Sequence, residues 1–435
     1  MLGVKEQLEV IRRGTVEIIP EEELIKKLEV SIKKNKPLRI KMGFDPTAPD
    51  IHLGHTVGIR KLKQFQELGH LVVLIIGDYT GMVGDPSGRS ETRPQLSYEE
   101  VKKNAETYQK QFYKILDKKR TEVHFNGEWF SKMSFQEIMH LASKFTLARI
   151  LERDDFAERY KEQSPISLHE LFYPIMQGYD SVAIKADLEI GATEQKFNLL
   201  TARQIQQEYG VSPQVILTMP VLPGTDGVQR MSKSLGNYIG IDESPEEIFG
   251  KIMSIPDELI YPYFELLTDV SKEELEKIKR ELKGAELETE FDRYNIVKVD
   301  LGSPEESEGK KVNPMEWKKR LGSEIVKLYH SQKDAERAQA EFEKVFSKKE
   351  LPEKIQEKVF ESSEKEIWIP YACTASGIAT GTAQIVRLIE QGGLYIDGRK
   401  IEDVKERFKI DNESHLFRLG KRKFYKITGK WKPRN

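Results

Sequence analysis

Residues 38 to 76, LRIKMGFDPTAPDIHLGHTVGIRKLKQFQELGHLVVLII, decide the fold class of this chain. The segment 38–46 alternates apolar and polar residues and then breaks, which is typical of a strand that enters a loop. Apolar residues recur at helical spacing from Val57 to Leu68, and Gly69 favours a helix end. The run LVVLII at 71–76 is typical of a parallel strand buried on both faces. Strand, helix and strand in this order predict a βαβ unit, from which doubly wound nucleotide-binding sheets are built.

Further strand and helix signals continue this first domain and mark those that follow it. Val182 to Ile190 and Val215 to Met219 are predicted to be strands of the same sheet. The sequence SPEE at 244–247 predicts a helix start, with a capping-box arrangement and a proline in the first turn. Near the end of the chain, helical spacing over Gln384–Gln391 precedes a predicted hairpin with Asp397-Gly398 at its turn.

These patterns divide the chain into domains. At 435 residues the chain exceeds the size that one hydrophobic core usually organises. We expect a nucleotide-binding domain over 1–225, a mobile loop over 226–240, a charged helical domain over 241–350, a linker over 351–366 and a small α+β domain over 367–435.

Composition indicates a water-soluble globular protein. Hydrophobic residues make up 38% of the chain and charged residues 32%, and no apolar run approaches the roughly 20 residues of a membrane-spanning helix. Charges interrupt every apolar run near the N-terminus, so we expect no secretory signal, no membrane partner and a cytoplasmic location. Cys373 is the only cysteine, which excludes an intramolecular disulfide and a multi-cysteine zinc site.

The net charge of -2 is distributed unevenly along the chain. Trp368 to Asn435 contains 14 Lys and Arg against 7 Asp and Glu, so this tail carries +7 and the remaining residues carry -9. A basic tail on an acidic body predicts an anionic partner for the tail. A solvated basic face is the alternative interpretation of any single lysine in it.

The loop after the first predicted strand contains DPTAPDIHLGH, which places His52, Gly54 and His55 at a helix start. Unpaired backbone N-H groups and the helix dipole favour anions there, and Gly54 lets a nucleotide approach closely. Two histidines in a loop are more often ordinary packing residues. Their position at the carboxyl end of the first parallel strand favours a ligand site instead.

A second candidate element is RMSKS at 230–234, which lies in a glycine-flanked loop. Its five residues include two cations and two hydroxyls. Such a loop can close over a triphosphate and neutralise the charge of departing pyrophosphate. Alone it is a weak signal, because basic surface loops are common. Together and in this order, HLGH and RMSKS resemble the H-x-G-H and K-M-S-K-S signature of class I aminoacyl-tRNA synthetases.

The stretch YPIMQGYD at 173–180 carries the candidate amino-acid site. Tyr173, Gln177 and Asp180 are spaced to share one helix face, so their polar groups can converge on one pocket. A polar solvent-facing stripe is the alternative. The stretch resembles the tyrosine-binding helix of tyrosyl-tRNA synthetases. That resemblance implies that Tyr173 and Gln177 hold the substrate ammonium and that Asp180 accepts the phenolic hydrogen.

The same resemblance implies roles for further residues across the first domain. Additional tyrosine-site residues are Lys41, where many bacterial members carry a tyrosine that touches the substrate hydroxyl, together with Thr80, Asp85 and Gln195. The implied ATP-site residues are Gly43, Asp45, Gly54, Gly191, Glu194, Met231 and Ser232. The implied catalytic residues, which position the reactants and stabilise charge, are Thr47, His52, His55, Arg230 and Lys233.

The tail segment LIEQGGLYIDGRKIED at 388–403 resembles an S4-type RNA-binding module, which ends bacterial tyrosyl-tRNA synthetases. The resemblance implies tRNA(Tyr) as the anionic partner. Arg418 and the basic run at 421–423 are candidates for phosphate contacts. In relatives, an insertion matching about 103–167 carries a homodimer interface, and Leu168 matches an apolar position of it.

The fold class implied is α/β, with a Rossmann-type parallel sheet of the class I synthetases, then a helical domain and a small S4-like α+β domain. The implied reaction joins L-tyrosine to tRNA(Tyr) through tyrosyl adenylate, with ATP as substrate, Mg²⁺ accompanying it and no tightly bound protein metal. A tryptophanyl-tRNA synthetase and a non-catalytic RNA-binding relative are the alternatives. Asp180 argues against the first and the intact HLGH and RMSKS elements against the second.

Overall fold

The computed structural model describes residues 1–46, 50–85, 98–283, 289–291, 297–299, 313–347, 355–420 and 423–432. The chain forms two compact units, Met1–Ala335 and Glu336–Asn435. Among the helices in these ranges, none has both the length and the apolar character needed to cross a bilayer.

A six-stranded sheet is the centre of the first unit. Its strands are β1 (Glu17–Ile19), β2 (Arg39–Phe44), β3 (Leu71–Ile76), β4 (Thr121–Phe125), β5 (Leu188–Ala192) and β6 (Val215–Met219). They lie in the order β1-β6-β5-β2-β3-β4, with β1 antiparallel to β6 and all other neighbours parallel. The order reverses between β2 and β5. Open α/β sheets bind ligands at such a switch point, beyond the carboxyl ends of the strands.

Helices surround this sheet and continue beyond it. They are α1 (Val4–Arg12), α2 (Glu21–Lys34), α3 (Leu53–Glu67), α4 (Thr80–Val83), α5 (Tyr98–Phe112), α6 (Gly127–Phe130), α7 (Phe135–Ala142), α8 (Leu147–Ile150), α9 (Asp154–Lys161), α10 (Tyr173–Ile184), α11 (Lys196–Glu208), α12 (Pro245–Ile252), α13 (Ile260–Leu267), α14 (Lys272–Lys283), α15 (Pro314–Tyr329) and α16 (Gln332–Ser347). Short 3-10 turns occur at Lys118–Arg120, Leu168–Phe172, Thr193–Gln195 and Asp257–Leu259. Two short strands, β7 (Thr289–Phe291) and β8 (Val297–Val299), pair antiparallel.

The predicted βαβ unit is confirmed as β2, α3 and β3, and the predicted strand at Val215 to Met219 is β6. The predicted strand at Val182 to Ile190 is partly wrong. Helix α10 continues through Ile184 and ends at Lys185 in the left-handed conformation, and the strand begins at Leu188. Apolar and polar residues alternate from Ile184 to Ile190, which is typical of a strand, so the pattern did not reveal that the helix ends within it.

Two local features determine where α12 begins and how closely α10 approaches α11. Ser244 caps α12 by accepting a hydrogen bond from the backbone N-H of Glu247, with Pro245 in the first turn, which confirms the predicted start. Gly178 lets α10 and α11 approach closely. A Cβ added there would lie 2.5 Å from the Cδ1 of Ile205 and 3.1 Å from the Cα of Ala202.

The second unit is a small α+β domain. It begins within α16, at Glu336, and its further elements are β9 (Gln356–Ser362), β10 (Glu366–Trp368), α17 (Ile369–Ala375), α18 (Thr382–Glu390), β11 (Leu394–Ile396), β12 (Arg399–Lys400), β13 (Arg407–Lys409), β14 (Ser414–Leu419) and β15 (Lys423–Trp431). A five-stranded sheet has the order β12-β11-β14-β15-β9. The predicted hairpin is β11 and β12, with Asp397 and Gly398 both at positive φ, as a tight two-residue turn requires.

Most of the predicted linker at 351–366 is part of this second unit. Gln356–Ser362 is strand β9, which pairs in parallel with β15 at the edge of the sheet. Residues 351–354 lie outside the described ranges. The run ESSEKE has the polar composition of a linker, but exposed edge strands also carry charged side chains. Composition alone therefore did not separate the two.

Candidate active site

A cavity of about 300 Å³ opens at the switch point between β2 and β5. Its walls come from the carboxyl ends of β2, β3 and β5 and from helices α3 and α10. The predicted site residues that line it are Gly43, Asp45, Gly54, His55, Thr80, Asp85, Tyr173, Gln177, Asp180, Gly191 and Gln195. The structure thus brings together residues that are spread over most of the first unit's sequence.

Asp45 connects two of the predicted tyrosine-site residues. Its Oδ1 accepts a hydrogen bond from the hydroxyl of Thr80 at 2.8 Å, and its Oδ2 accepts one from the hydroxyl of Tyr173 at 2.8 Å. Gly77 makes this arrangement possible, because an added Cβ would lie 2.0 Å from Oδ1 of Asp45 and 2.1 Å from Oγ1 of Thr80. Asp45 was predicted at the ATP site, and here it accepts hydrogen bonds from two residues that were predicted at the tyrosine site.

Asp180 is a buried carboxylate at the cavity wall. Its Oδ1 accepts a hydrogen bond from the indole Nε1 of Trp129 at 2.9 Å, and its Oδ2 accepts one from Asn126 at 3.4 Å. Burial raises the pKa of Asp180 to about 7, although the nearby ammonium of Lys41 acts in the opposite direction. The sequence interpretation missed Trp129 and Asn126. Their signal was the NGEW stretch that follows a strand at the same edge of the sheet.

The predicted ammonium site is a set of oxygen acceptors held by amide groups. Asp85 accepts a hydrogen bond from Gln195, and Asn198 donates to the side-chain oxygens of both Gln177 (3.0 Å) and Gln195 (3.1 Å). Arg153 is buried and donates to Asn198 at 3.0 Å and to Asp85 at 3.3 Å. Arg153 and Asn198 were not predicted. Sequence spacing held no signal for the contact of Arg153 with Asp85, because the two residues lie far apart along the chain.

Lys41 is placed differently from the expectation that it touches the substrate. It is fully buried and is not among the residues that line the cavity. Its ammonium donates to the backbone oxygen of Gln177 at 2.8 Å and to the hydroxyl of Ser181 at 2.7 Å, and it lies 3.0 Å from Oε1 of Glu189. A family tyrosine at this position was the basis of the expectation. The longer, charged lysine instead pairs with a buried carboxylate behind α10.

The histidines of HLGH stack at the start of α3, with ring centroids 3.7 Å apart. Burial lowers the pKa of His55 to about 4 and that of His52 to about 2, so both rings are neutral at physiological pH. The backbone N-H of His52 donates to Nδ1 of His55 at 3.4 Å, which leaves the proton of His55 on Nε2. His55 lines the cavity, whereas His52 is not among the lining residues.

The RMSKS residues lie beside HLGH and outside the cavity wall. The backbone N-H of Gly54 faces the sulfur of Met231 at 3.3 Å, and Lys233 forms an ion pair with Asp50. Two further contacts of this loop are Arg230 with Glu194 at 3.4 Å and Ser232 with Ser234 at 2.9 Å. Thr47, predicted to be catalytic, lies outside the described residues.

Comparison with known proteins assigns this sheet and its switch-point site to a class. A family model described as tRNA synthetases class I (W and Y) matches residues 33–347. The chain is 50% identical to the tyrosine--tRNA ligase of Carboxydothermus hydrogenoformans over 427 residues, and 48% identical to that of Thermotoga maritima over 425 residues. Each alignment covers 98% of both chains. The chain belongs to the tyrosine--tRNA ligase family.

A solved structure is consistent with the same fold. A C-terminally truncated mitochondrial tyrosyl-tRNA synthetase of Aspergillus nidulans has a TM-score of 0.60. The match covers 80% of this chain and 95% of that chain, at 20% sequence identity. At this identity the likeness concerns the fold alone.

Proposed function

We propose that, in the tyrosine--tRNA ligase reaction of this chain, the switch-point cavity holds tyrosine while HLGH and RMSKS hold ATP. The observation that carries this proposal is the convergence of Asp85, Gln177 and Asp180 on one cavity. A carboxylate and an amide oxygen suit an ammonium group at one end, and a buried carboxylate suits a phenol at the other. Asp85 lies far from Gln177 and Asp180 along the chain, so its position beside them in one cavity is informative.

The reaction has two steps. The carboxylate of tyrosine attacks the α-phosphate of ATP, which forms tyrosyl adenylate and releases pyrophosphate. The terminal ribose hydroxyl of tRNA(Tyr) then attacks the carbonyl carbon of the adenylate and releases AMP. No side chain forms a covalent bond in either step, so the protein acts by positioning the reactants and stabilising developing charge.

In this proposal the phosphates of ATP lie between HLGH and the RMSKS loop. His55 donates through its Nε2-H as a neutral ring, and the backbone at Gly54 allows close approach. When ATP binds, Lys233 leaves its ion pair with Asp50 and contacts the phosphates. Arg230 likewise leaves Glu194 and contacts the phosphates. The ion pairs hold these cations near the site until the nucleotide arrives.

Mg²⁺ enters the proposal as the ion that accompanies ATP. This cation is usually bound by substrate phosphates and water, with few protein ligands. The side chains near the proposed phosphate position fit this role, because Arg230 and Lys233 are cationic and supply no ligand to a metal ion. When bound, the ion neutralises charge on the phosphates.

We also propose a cytoplasmic location, where ATP and tRNA are available.

The RMSKS assignment is tested with Lys233→Ala. We expect the single-turnover rate of adenylate formation to fall roughly 100-fold or more, because the lysine contacts pyrophosphate more strongly in the transition state than in bound ATP. The Kd of tyrosine should change by less than about twofold, since the tyrosine side of the cavity is untouched. Lys272→Ala is the matched control, as Lys272 is also ion-paired, with Glu9, but is largely exposed. An unaltered adenylation rate in Lys233→Ala contradicts the assignment.

We propose that the chain is a homodimer through the stretch 135–168. Large apolar side chains are unusually exposed in this stretch, each by more than half: Phe135, Met139, Leu147, Tyr160 and Leu168. Exposed apolar residues at this density mark a protein interface rather than a free surface.

Leu168→Glu tests the dimer. We expect it to shift the protein to monomers in sedimentation velocity, because it places a charge in an apolar contact. Val30→Glu is the control, since Val30 is half exposed but lies on α2. A wild-type protein that sediments as a monomer at micromolar concentration contradicts the proposed interface.

A further inference from the structure

We propose that the buried ion pair of Lys41 and Glu189 is a positioning unit, which holds the amide of Gln177 with its oxygen toward the ammonium of bound tyrosine. Lys41 lies on β2 and Glu189 on β5, the two strands that flank the switch point. Both side chains are almost completely shielded from solvent. This inference rests on the proposed tyrosine site and adds a function for two residues behind it.

Glu189 is the centre of a buried network of donors. Its Oε1 lies 3.0 Å from the ammonium of Lys41 and accepts a hydrogen bond from Nε2 of Gln177 at 3.1 Å. Its Oε2 accepts from the hydroxyl of Ser181 at 3.1 Å and from the amide of Gln214. A carboxylate only accepts hydrogen bonds, so the side of the Gln177 amide that faces Glu189 must be its NH₂ group.

The orientation of the Gln177 amide then determines what it offers the cavity. With NH₂ toward Glu189, the opposite atom Oε1 accepts a hydrogen bond from Asn198 at 3.0 Å. That oxygen has a second lone pair with which it can accept a hydrogen from an ammonium group. A reversed amide would present its own N-H hydrogens to the ammonium, which is repulsive. The carboxylate of Glu189 therefore selects the orientation that binds an amine.

Lys41 forms an ion pair with this carboxylate in the interior and connects α10 to the sheet. An uncompensated buried charge is strongly destabilising, whereas a paired and hydrogen-bonded one is tolerated. The ammonium has three hydrogens, and its three partners are Glu189, the hydroxyl of Ser181 and the backbone oxygen of Gln177. These three contacts use all of its donors. Lys41 thus acts on the substrate through Gln177 and does not contact the phenol.

Three tyrosine-like ligands separate these possibilities by calorimetry. Tyramine has both the ammonium and the phenol. The ligand 3-(4-hydroxyphenyl)propionate has the phenol but no ammonium, and phenethylamine has the ammonium but no phenol. The main variant is the neutral pair Lys41→Met with Glu189→Gln, whose two amides can pair in either orientation. Glu189→Gln alone is the second variant, because it replaces a single oxygen and leaves Lys41 in place, so that the carboxylate is tested by itself; it also removes the charge that compensates the buried ammonium.

We expect both variants to bind tyramine and phenethylamine roughly tenfold more weakly, the effect of one lost hydrogen bond to a charged group. Binding of 3-(4-hydroxyphenyl)propionate should change by less than about twofold, since Asp180 is intact. Lys61→Met is the matched control. Lys61 is also a buried lysine, but its ammonium donates to backbone oxygens at the end of α1, away from the cavity.

Three results overturn the proposal. Equal weakening of all three ligands means that the pair only supports the fold. Weaker binding of tyramine and 3-(4-hydroxyphenyl)propionate alone, the two ligands with a phenol, means that Lys41 contacts the hydroxyl directly. Unchanged binding of every ligand means that the pair does not orient Gln177. If the wild-type protein binds none of the ligands, the proposed tyrosine site itself is contradicted. That outcome differs from a wild-type protein that binds the ligands and variants that bind them equally well, which contradicts only the role of the ion pair.

Discussion

At the scale of single residues, Asp180 is the group that we propose separates tyrosine from phenylalanine. Its carboxylate is buried and accepts hydrogen bonds from Trp129 and Asn126, which fix its orientation. Tyrosine adds a further donor, its phenol. Phenylalanine would leave the carboxylate desolvated and short of a donor, and this costs more than one satisfied hydrogen bond contributes.

The pKa of Asp180, raised to about 7 by burial, makes this discrimination depend on pH. Above about pH 7 the carboxylate accepts the phenolic hydrogen and disfavours phenylalanine. As pH falls through about 7 the carboxyl gains a proton, so the phenol contact weakens and the penalty for phenylalanine shrinks. The charged groups that act on Asp180 are Lys41, which lowers its pKa, and Glu189, which raises it. The ratio of kcat/KM for tyrosine to that for phenylalanine should therefore fall as pH is lowered.

Pyrophosphate exchange with each amino acid, from about pH 6 to pH 8.5, measures that ratio in the range where the free enzyme titrates. Asp180→Asn is the control variant. Its amide does not titrate there, so its ratio should be lower at high pH and independent of pH. A wild-type ratio that does not change across pH 7 is incompatible with titration of Asp180 as the cause.

At the scale of elements, the packing of α10 against α11 decides where the tyrosine-site residues point. The helix carries Tyr173, Gln177 and Asp180 on the face toward the cavity. Gly178 lies on the side that meets α11, where its missing side chain allows the two backbones to approach. The position of the binding face therefore depends on a residue with no side chain.

Gly178→Ala should destabilise the first unit by about 1–3 kcal/mol. The added Cβ would meet Ile205 at 2.5 Å and Ala202 at 3.1 Å, and relief requires α10 to move. Alanine is otherwise the better helix former, so a clash is the only reason for a loss. Urea unfolding measures the effect.

Gly43→Ala is the control for this stability measurement. Gly43 also lines the cavity, but an added Cβ would meet no atom within 4 Å. Its free energy of unfolding should stay within about 1 kcal/mol of the wild-type value. Equal or greater stability of Gly178→Ala would show that α10 and α11 are less tightly packed than the structure indicates.

At the scale of the whole molecule, the basic tail is a compact unit with its own sheet and core. Cys373, Ile385 and Phe417 are among its fully buried residues. Its sheet includes β9, so a truncation late in the predicted linker, such as one after Glu366, would leave β9 without its partner β15. The +7 charge of Trp368 to Asn435 is the basis for proposing tRNA as its partner.

A truncation after Ser347, the last residue of α16, removes the tail sheet as a whole. We expect adenylate formation to remain within about threefold of wild type, because every residue of the proposed tyrosine and ATP sites is retained. Aminoacylation should be lost at ordinary substrate concentrations, since the phosphate contacts of the tail are gone.

The salt dependence of tRNA binding provides the second measurement on the truncated chain. Each lost phosphate contact lowers the slope of log K against log salt by about one. The truncated chain should therefore show a shallower slope than the full chain. Comparable losses in adenylate formation and in aminoacylation would instead mean that the tail supports the fold of the first unit.

The sequence by itself determined the features that depend on neighbouring residues. The βαβ unit of β2, α3 and β3 follows from local periodicity, the start of α12 from the cap at Ser244, and the hairpin turn from Asp397-Gly398. The shared face of α10 follows from helical spacing alone. Motif resemblance supplied the candidate residues, and the cavity contains most of those that the structure describes.

Only the tertiary structure decided which distant groups meet. Trp129 reaches Asp180, Arg153 reaches Asp85, and Lys41 turns away from the cavity to pair with Glu189. Strand β9 was not predicted from the sequence for the same reason, since its partner β15 lies more than sixty residues further along the chain. Spacing along a sequence reports on residues that share one helix or strand. The electrostatic and hydrogen-bonding partners of a buried group come from other elements, so they are defined only when those elements pack.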